Sequence, residues 1–120
     1  MTGTLHDIAG EAVELLALPP LDIATMREAV QRLLGPAADL PGESEVDTLI
    51  LQLRGHLNLL IPELEQQGGS GDPLAAAGIG EAHRRLSGGP SALGPMRHAI
   101  LLARSVVVLC AHWERLAVSP

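Results

Sequence analysis

The sequence predicts an all-α protein: an up-down bundle of four main helices with a shorter N-terminal helix packed on it. Three observations carry that expectation. Between Ser44 and Gln67, the residues Val46, Ile50, Leu53, Leu57, Leu60 and Leu64 recur in alternating steps of four and three, which places them in one stripe on a helix. Between Ala99 and Leu116, a second stripe of Ala99, Leu102, Val106, Leu109, Trp113 and Leu116 follows the same rhythm. Glycine and proline clusters punctuate the chain between such segments: Pro19-Pro20, Gly35-Pro36, Gly68 to Gly71, and Ser87 to Gly94. A length of 120 residues fits one domain, 1–120.

The first helix is expected over Leu5 to Leu16, with Leu5, Ile8, Ala12 and Leu15 as its stripe and Pro19-Pro20 as its stop. The second runs from Ile23 to Leu34, with Asp22 as N-cap and Met26, Val30 and Leu33 facing inward. The third is the segment of the first stripe, with Ser44 read as its cap and Asp47 three positions on. Pro62 lies inside it and removes one backbone hydrogen bond, so a bend is expected between Asn58 and Pro62. Asp72-Pro73 opens the fourth helix, whose inner face is Ala75, Ile79, Ala82 and Leu86; Gly78 and Gly80 nearby allow close helix contact. The fifth spans Pro95 to Ala117, its stripe widened by Ile100, Ala103, Val107 and Cys110, and should be central.

Composition narrows the classes. There is no Phe, no Tyr and one Trp, so aliphatic side chains must build the core. All eight basic residues are Arg and the net charge is −6. Nucleic-acid binding needs a basic patch that displaces phosphate counterions, and Arg84-Arg85 is the only adjacent basic pair, so no nucleic-acid partner is expected. A single cysteine, Cys110, excludes an internal disulfide and a cysteine-based zinc cluster. The N-terminus lacks a basic and apolar leader, and the longest apolar run, Ala99 to Ala111, is broken by Arg104. A cytoplasmic protein with no membrane contact is the expectation.

The chemistry-bearing residues are few. No Glu-x-x-His pair of the kind used by bundle di-metal sites occurs, so no metal and no cofactor is expected. Cys110 sits in an apolar run, which reads as packing rather than as a nucleophile. The candidate binding residues are Arg54, His56, Asn58, Glu63, Arg104 and His112. Arg54 and Arg104 lie among apolar neighbours, where a guanidinium either pairs with Glu63, Glu65 or Glu114 or anchors a ligand's carboxylate or phosphate. His56 falls at the rim of its stripe, and His98 and His112 share one side of the fifth helix with Ser105. Asn58 carries the carbonyl that Pro62 deprives of its donor. Leu51, Leu59 and Ile61, with Leu101 and Val108, are apolar residues left off the stripes, and they allow a homodimer.

The stretches LRGHLNLLIPELE (Leu53 to Glu65), EAHRRL (Glu81 to Leu86) and ARSVVVLCAHWERL (Ala103 to Leu116) resemble a family of small uncharacterised actinobacterial helical proteins, some labelled natural-product biosynthesis proteins. Arg54, His56, Pro62, Glu63, Cys110 and His112 stand where that pattern places its emphasis, with Trp113 in a position of Tyr. The resemblance implies a context and no reaction. Two functions fit. One is an accessory protein binding a small acidic ligand or a partner protein through Arg54, His56, Glu63 and His112. The other is a small pathway enzyme using His56 or His112 as general acid–base beside Arg54.

Overall fold

The computed structural model describes residues 21–36, 40–89 and 94–117, and all their regular structure is helical. Four helices pack together: α1 (Ile23–Leu34), α2 (Glu43–Gln66), α3 (Pro73–Gly88) and α4 (Pro95–Ala117), with a 3₁₀ turn at Gly69–Gly71. The expected helix over Leu5 to Leu16 lies outside the described residues. Helix α4 is central: it packs on α1, α2 and α3, most extensively on α2.

Local chemistry sets the boundaries. Asp22 caps α1, its carboxylate accepting from the Thr25 amide at 3.1 Å and the Thr25 hydroxyl at 2.7 Å. Leu21 and Met26, just outside and just inside that cap, are both buried, the arrangement of a hydrophobic staple. Helix α2 begins two residues earlier than expected. Gly42 is its N-cap, and the Val46 amide donates to the Gly42 carbonyl at 2.9 Å, so Ser44 lies within the first turn and does not cap. Pro41-Gly42 turns the chain early, and Glu43 and Glu45 supply the negative charge that a helix start favours. The helix runs on through Pro62 to Gln66. Gly68 then adopts φ +88°, the left-handed conformation that ends a helix at least cost for glycine.

Asp72 fastens two helices at once. Its carboxylate accepts from the Leu74 and Ala75 amides at 3.1 and 3.0 Å, capping α3, and from the Arg115 guanidinium of α4 at 2.8 and 3.0 Å. The Arg115 contact first, then these amides, hold the Asp72 carboxyl at about 2.

The core is aliphatic and continuous. Leu53, Leu57, Leu60 and Leu64 of α2 and Leu102, Val106 and Leu109 of α4 are wholly buried, joined by Met26 and Val30 of α1 and Ile79 and Ala82 of α3. Two apolar expectations change. Ile61 is buried rather than surplus, and Val107 points out of the stripe at 46% exposure. Gly78 marks the close approach of α3 to α4: a Cβ there would stand 3.1 Å from Val108 Cγ1 and 3.2 Å from Leu109 Cδ2.

Gly78 and Gly80 of α3 should therefore answer substitution with opposite signs. Gly78→Val forces α3 off α4 and is expected to cost roughly 1–3 kcal/mol. At Gly80 a Cβ meets only the mobile end of Arg84, at 3.7 Å. Gly80→Ala is expected to stabilise by up to about 1 kcal/mol through helix propensity. Urea denaturation of the two variants beside the parent measures both.

Candidate functional site

Two steps along a helix turn a side chain by about 200°, so Arg54 and His56 leave α2 on nearly opposite flanks. Arg54 turns toward α3, where its Nη1 donates to the Leu86 carbonyl at 3.0 Å. His56 turns toward α1 and lines a shallow cleft of about 260 Å³ with Thr25, Glu28, Arg32 and Gln52. Burial lowers the pKa of His56, opposed by the nearby Asp22 carboxylate. Asn58 and Arg104 are exposed, and Glu63 is half-buried near the far end of α2. His112 belongs to the Asp72–Arg115 junction, its Nδ1 lying 3.0 Å from Arg115 Nη2. The six residues are thus spread over several faces of the bundle. Of the four expected to share a pocket, Arg54, His56 and His112 face separate surroundings because their positions around α2 and α4 send them there.

Arg54 instead donates to α3 and lies near enough to His98 of α4 for its charge to be felt there. Its flank of the α2, α3 and α4 junction is a polar seam within the apolar core. Arg85 of α3 reaches α4, where its Nη1 donates to the Leu101 carbonyl and to the Ser105 hydroxyl, both at 2.9 Å. Its Nε lies 3.1 Å from Glu81, which also pairs with the outward-facing Arg84. The dyad Arg84-Arg85 is therefore split between solvent and core. On α4, His98 and Ser105 are each only 4% exposed. Their spacing explains it: 98, 102, 105 and 109 run in steps of four, three and four, so both polar residues stand in line with Leu102 and Leu109.

Two groups in this seam are incompletely satisfied. His98 Nε2 is buried and meets no hydrogen-bond partner among the described residues. Arg54 is half-buried with one carbonyl acceptor and, among the described residues, no carboxylate. None of the pairings of Arg54 or Arg104 with Glu63, Glu65 or Glu114 that the sequence allows forms among the described residues, and Glu114 pairs with Arg27 of α1. Burial first, and then the positive charge of Arg54, lower the pKa of His98, so its ring is neutral at neutral pH. A neutral imidazole N–H beside a guanidinium can bind an anionic oxygen from two sides. Buried polar groups without partners are costly, and their presence in a folded core calls for an explanation.

Cys110 matches its packing role: it is 2% exposed, and burial pushes its thiol up to about 11. No group of three or more His, Cys, Asp or Glu among the described residues is placed to hold a metal ion. None of the described helices is long and apolar enough to cross a membrane.

The fold and seam define a class, a small helical bundle with a polar junction set into an aliphatic core. The chain belongs to the family of unknown function DUF6415, whose sequence pattern matches residues 24–118. No curated protein and no solved structure matches it.

The neutral, buried His98 fixes a pH response. Its folded pKa lies below its unfolded value of about 6.5, so the unfolded chain takes up the proton first. The stability this group supports is complete above about pH 6.5 and falls as pH drops through the lowered folded value. His56 adds in the same direction. Replacing either residue, as in His98→Leu or His56→Leu, is expected to flatten the decline in urea midpoint from about pH 7 to pH 5. An unchanged slope in both variants would contradict this.

Proposed function

We propose that this protein is an accessory binding bundle that holds a small organic acid at the α2–α3–α4 junction, with Arg54 as the anion anchor and His98 as the second donor. The observation that carries the proposal is a buried imidazole nitrogen of His98 with no partner among the described residues, on a ring near enough to the half-buried Arg54 guanidinium to feel its charge, while Arg54 itself meets no carboxylate among the described residues. Arg85 and Ser105 support the site by holding the α3–α4 register, since Arg85 is already engaged by Leu101, Ser105 and Glu81. The setting, following the resemblance of the LRGHL and LCAHWERL stretches, is natural-product biosynthesis in an actinobacterium.

The same pair is the minimum that a His general base beside an Arg anchor would require. Binding is the better-supported reading, because no sequence motif demands catalysis and no nucleophile stands beside His98 among the described residues.

Nuclear magnetic resonance of the histidine rings tests the proposal, with hexanoate, benzoate and inorganic phosphate as probes. At least one carboxylate is expected to move the His98 signals in a saturable way while leaving those of exposed His83 in place. Arg54→Gln is expected to weaken that binding by about tenfold or more, the usual worth of a hydrogen bond to a charged group. Saturation unaltered by Arg54→Gln, or no response of His98 to any probe, would refute the assignment.

A further inference from the structure

Helix α4 is the central helix, yet one of its sides is bare. Helix α1 flanks it through the Arg27–Glu114 pair, α3 flanks it where Gly78 stands against Val108, and α2 lies along its inner face. No substantial packing joins α1 to α3, so a groove runs between them with α4 as its floor. Val107 and Val108 line that floor at 46% and 42% exposure, with Ala111 exposed and Ile100 and Leu101 half-buried. Arg97 and Arg104, also exposed, stand seven residues apart along its midline.

Those two cations are the unusual part. The chain carries eight arginines and a net charge of −6. The other six arginines each hold a carboxylate or a carbonyl oxygen. Arg97 and Arg104 hold neither among the described residues. A floor of this kind fits an occupant with an apolar row beside a row of carboxylates. The chain itself supplies one. In the helix expected over Leu5 to Leu16, Leu5, Ile8, Ala12 and Leu15 fall in one row, and Asp7, Glu11 and Glu14 fall in a second row roughly 110° round it. The first twenty residues hold no arginine, so these carboxylates give them half of the net negative charge.

The tether brings this segment to the groove. Leu21 is buried at the start of α1. Arg27 near that start pairs with Glu114 near the end of α4, and Arg32 near the end of α1 pairs with Glu45 at the start of α2. The start of α2 adjoins the start of α4, where Val46 and Met96 line one cleft, so α1 runs antiparallel to α4. Four residues separate Leu16 from Leu21, a reach of up to about 17 Å. Packed helix axes lie about 8–10 Å apart, so the segment can turn back beside α1 and lie along α4. Leu5 to Leu16 and Ile100 to Ala111 are each twelve residues, about 18 Å of helix.

We infer that this groove is the docking surface for the chain's own N-terminal segment, Leu5 to Leu16, whose apolar row covers Val107, Val108 and Ala111 while its carboxylates meet Arg104 and Arg97. Charge separates this place from the other exposed apolar face. Leu51 and Leu59 lie on α2, which carries Glu43, Glu45, Asp47, Glu63 and Glu65 and whose one arginine is turned to α3, so an acidic segment is repelled there. Tethering separates the segment from a second copy. The covalent tie presents it at an effective concentration of about millimolar, whereas a second molecule brings its own charge of −6 and no tie. Exposed ion pairs are weak and screened, so the docking loosens as salt is raised.

Paramagnetic relaxation in the full-length chain tests this. A nitroxide on Ala111→Cys marks the groove, and one on Leu51→Cys marks the outer face of α2; Cys110 is buried and is not labelled. The label at 111 is expected to broaden the amide signals of residues 5–16, and the label at 51 to leave them sharp. A mixture of isotope-labelled parent with nitroxide-bearing chains lacking the isotope is expected to leave them sharp as well, because the contact lies within one molecule. Arg104→Glu changes an exposed side chain and is expected to release the segment, raising its amide exchange rates roughly fivefold or more, whereas Arg104→Lys keeps it docked. The inference fails if the label at 111 leaves residues 5–16 sharp, if the label at 51 broadens them as much, if the mixture broadens as the single chain does, or if Arg104→Glu exchanges as the parent does. None of these results depends on Arg54 or His98, so they leave the acid-binding proposal to its own test.

Discussion

The structure depends on one contact, the aliphatic seam between α2 and α4. Leucines at 53, 57, 60 and 64 lie against a strip of Leu102, Val106 and Leu109, and every one of them is wholly buried. With one Trp and no Phe or Tyr, no large ring anchors the interior. Dispersion among many small contacts must do that, and it falls off steeply with distance, so the helices have to approach closely. Alanine at 75, 82, 99 and 103 and glycine at 78 provide the room. The remaining helices are fastened to this pair by polar ties at the margins: Arg27 to Glu114 for α1, Arg32 to Glu45 between α1 and α2, and Arg115 to Asp72 for α3. These pairs are largely exposed and screened. They set direction and register more than they add stability.

Against that background the polar seam is where, among the described residues, the core departs from its own rule. An all-aliphatic interior could have carried Leu or Val at 98 and 105, in line with 102 and 109. It carries His and Ser instead, with Arg85 reaching in to satisfy the serine and a backbone carbonyl. A hydrogen-bonded guanidinium of this kind fixes how α3 slides on α4. The histidine is different, because its buried Nε2 has no partner among the described residues and so adds nothing to their register. Departures from local consistency concentrate at functional sites, which is why Arg54 and His98 are the pair to which a ligand is assigned.

Much of the fold was legible in the sequence, because it rests on periodicity and punctuation. The ranges Ile23–Leu34 and Pro95–Ala117 follow from an aspartate cap, a Gly-Pro stop and an unbroken stripe. The start of α2 was misplaced, since Ser44 resembles a cap while Gly42, which has no side chain to announce itself, serves as one. The site was harder to read. The proposed anchor, Arg54, stood out as a charge in an apolar run, but the companions proposed for it come from other helices, and one sequence does not show which flanks meet. His56 and His112 were nearer the eye, one beside Arg54 in sequence and the other beside Trp113, yet nearness along a helix sends side chains apart. The heptad spacing of His98 and Ser105 was the available signal. It was obscured because polar residues invite a surface reading even when they fall on a buried stripe.

The scarcity of aromatic rings has an optical consequence. Trp113 is the sole aromatic side chain of Phe, Tyr or Trp type, so the near-ultraviolet absorbance and intrinsic fluorescence of the whole protein originate at one point. That point lies in the last turns of α4, with the ring packed against the core, its Nε1 buried, and Glu114 next to it joined to Arg27 of α1. An emission shift therefore reports the hydration of this end of the bundle alone. Loosening farther away, along the polar seam around His98, is silent in fluorescence until it reaches Trp113.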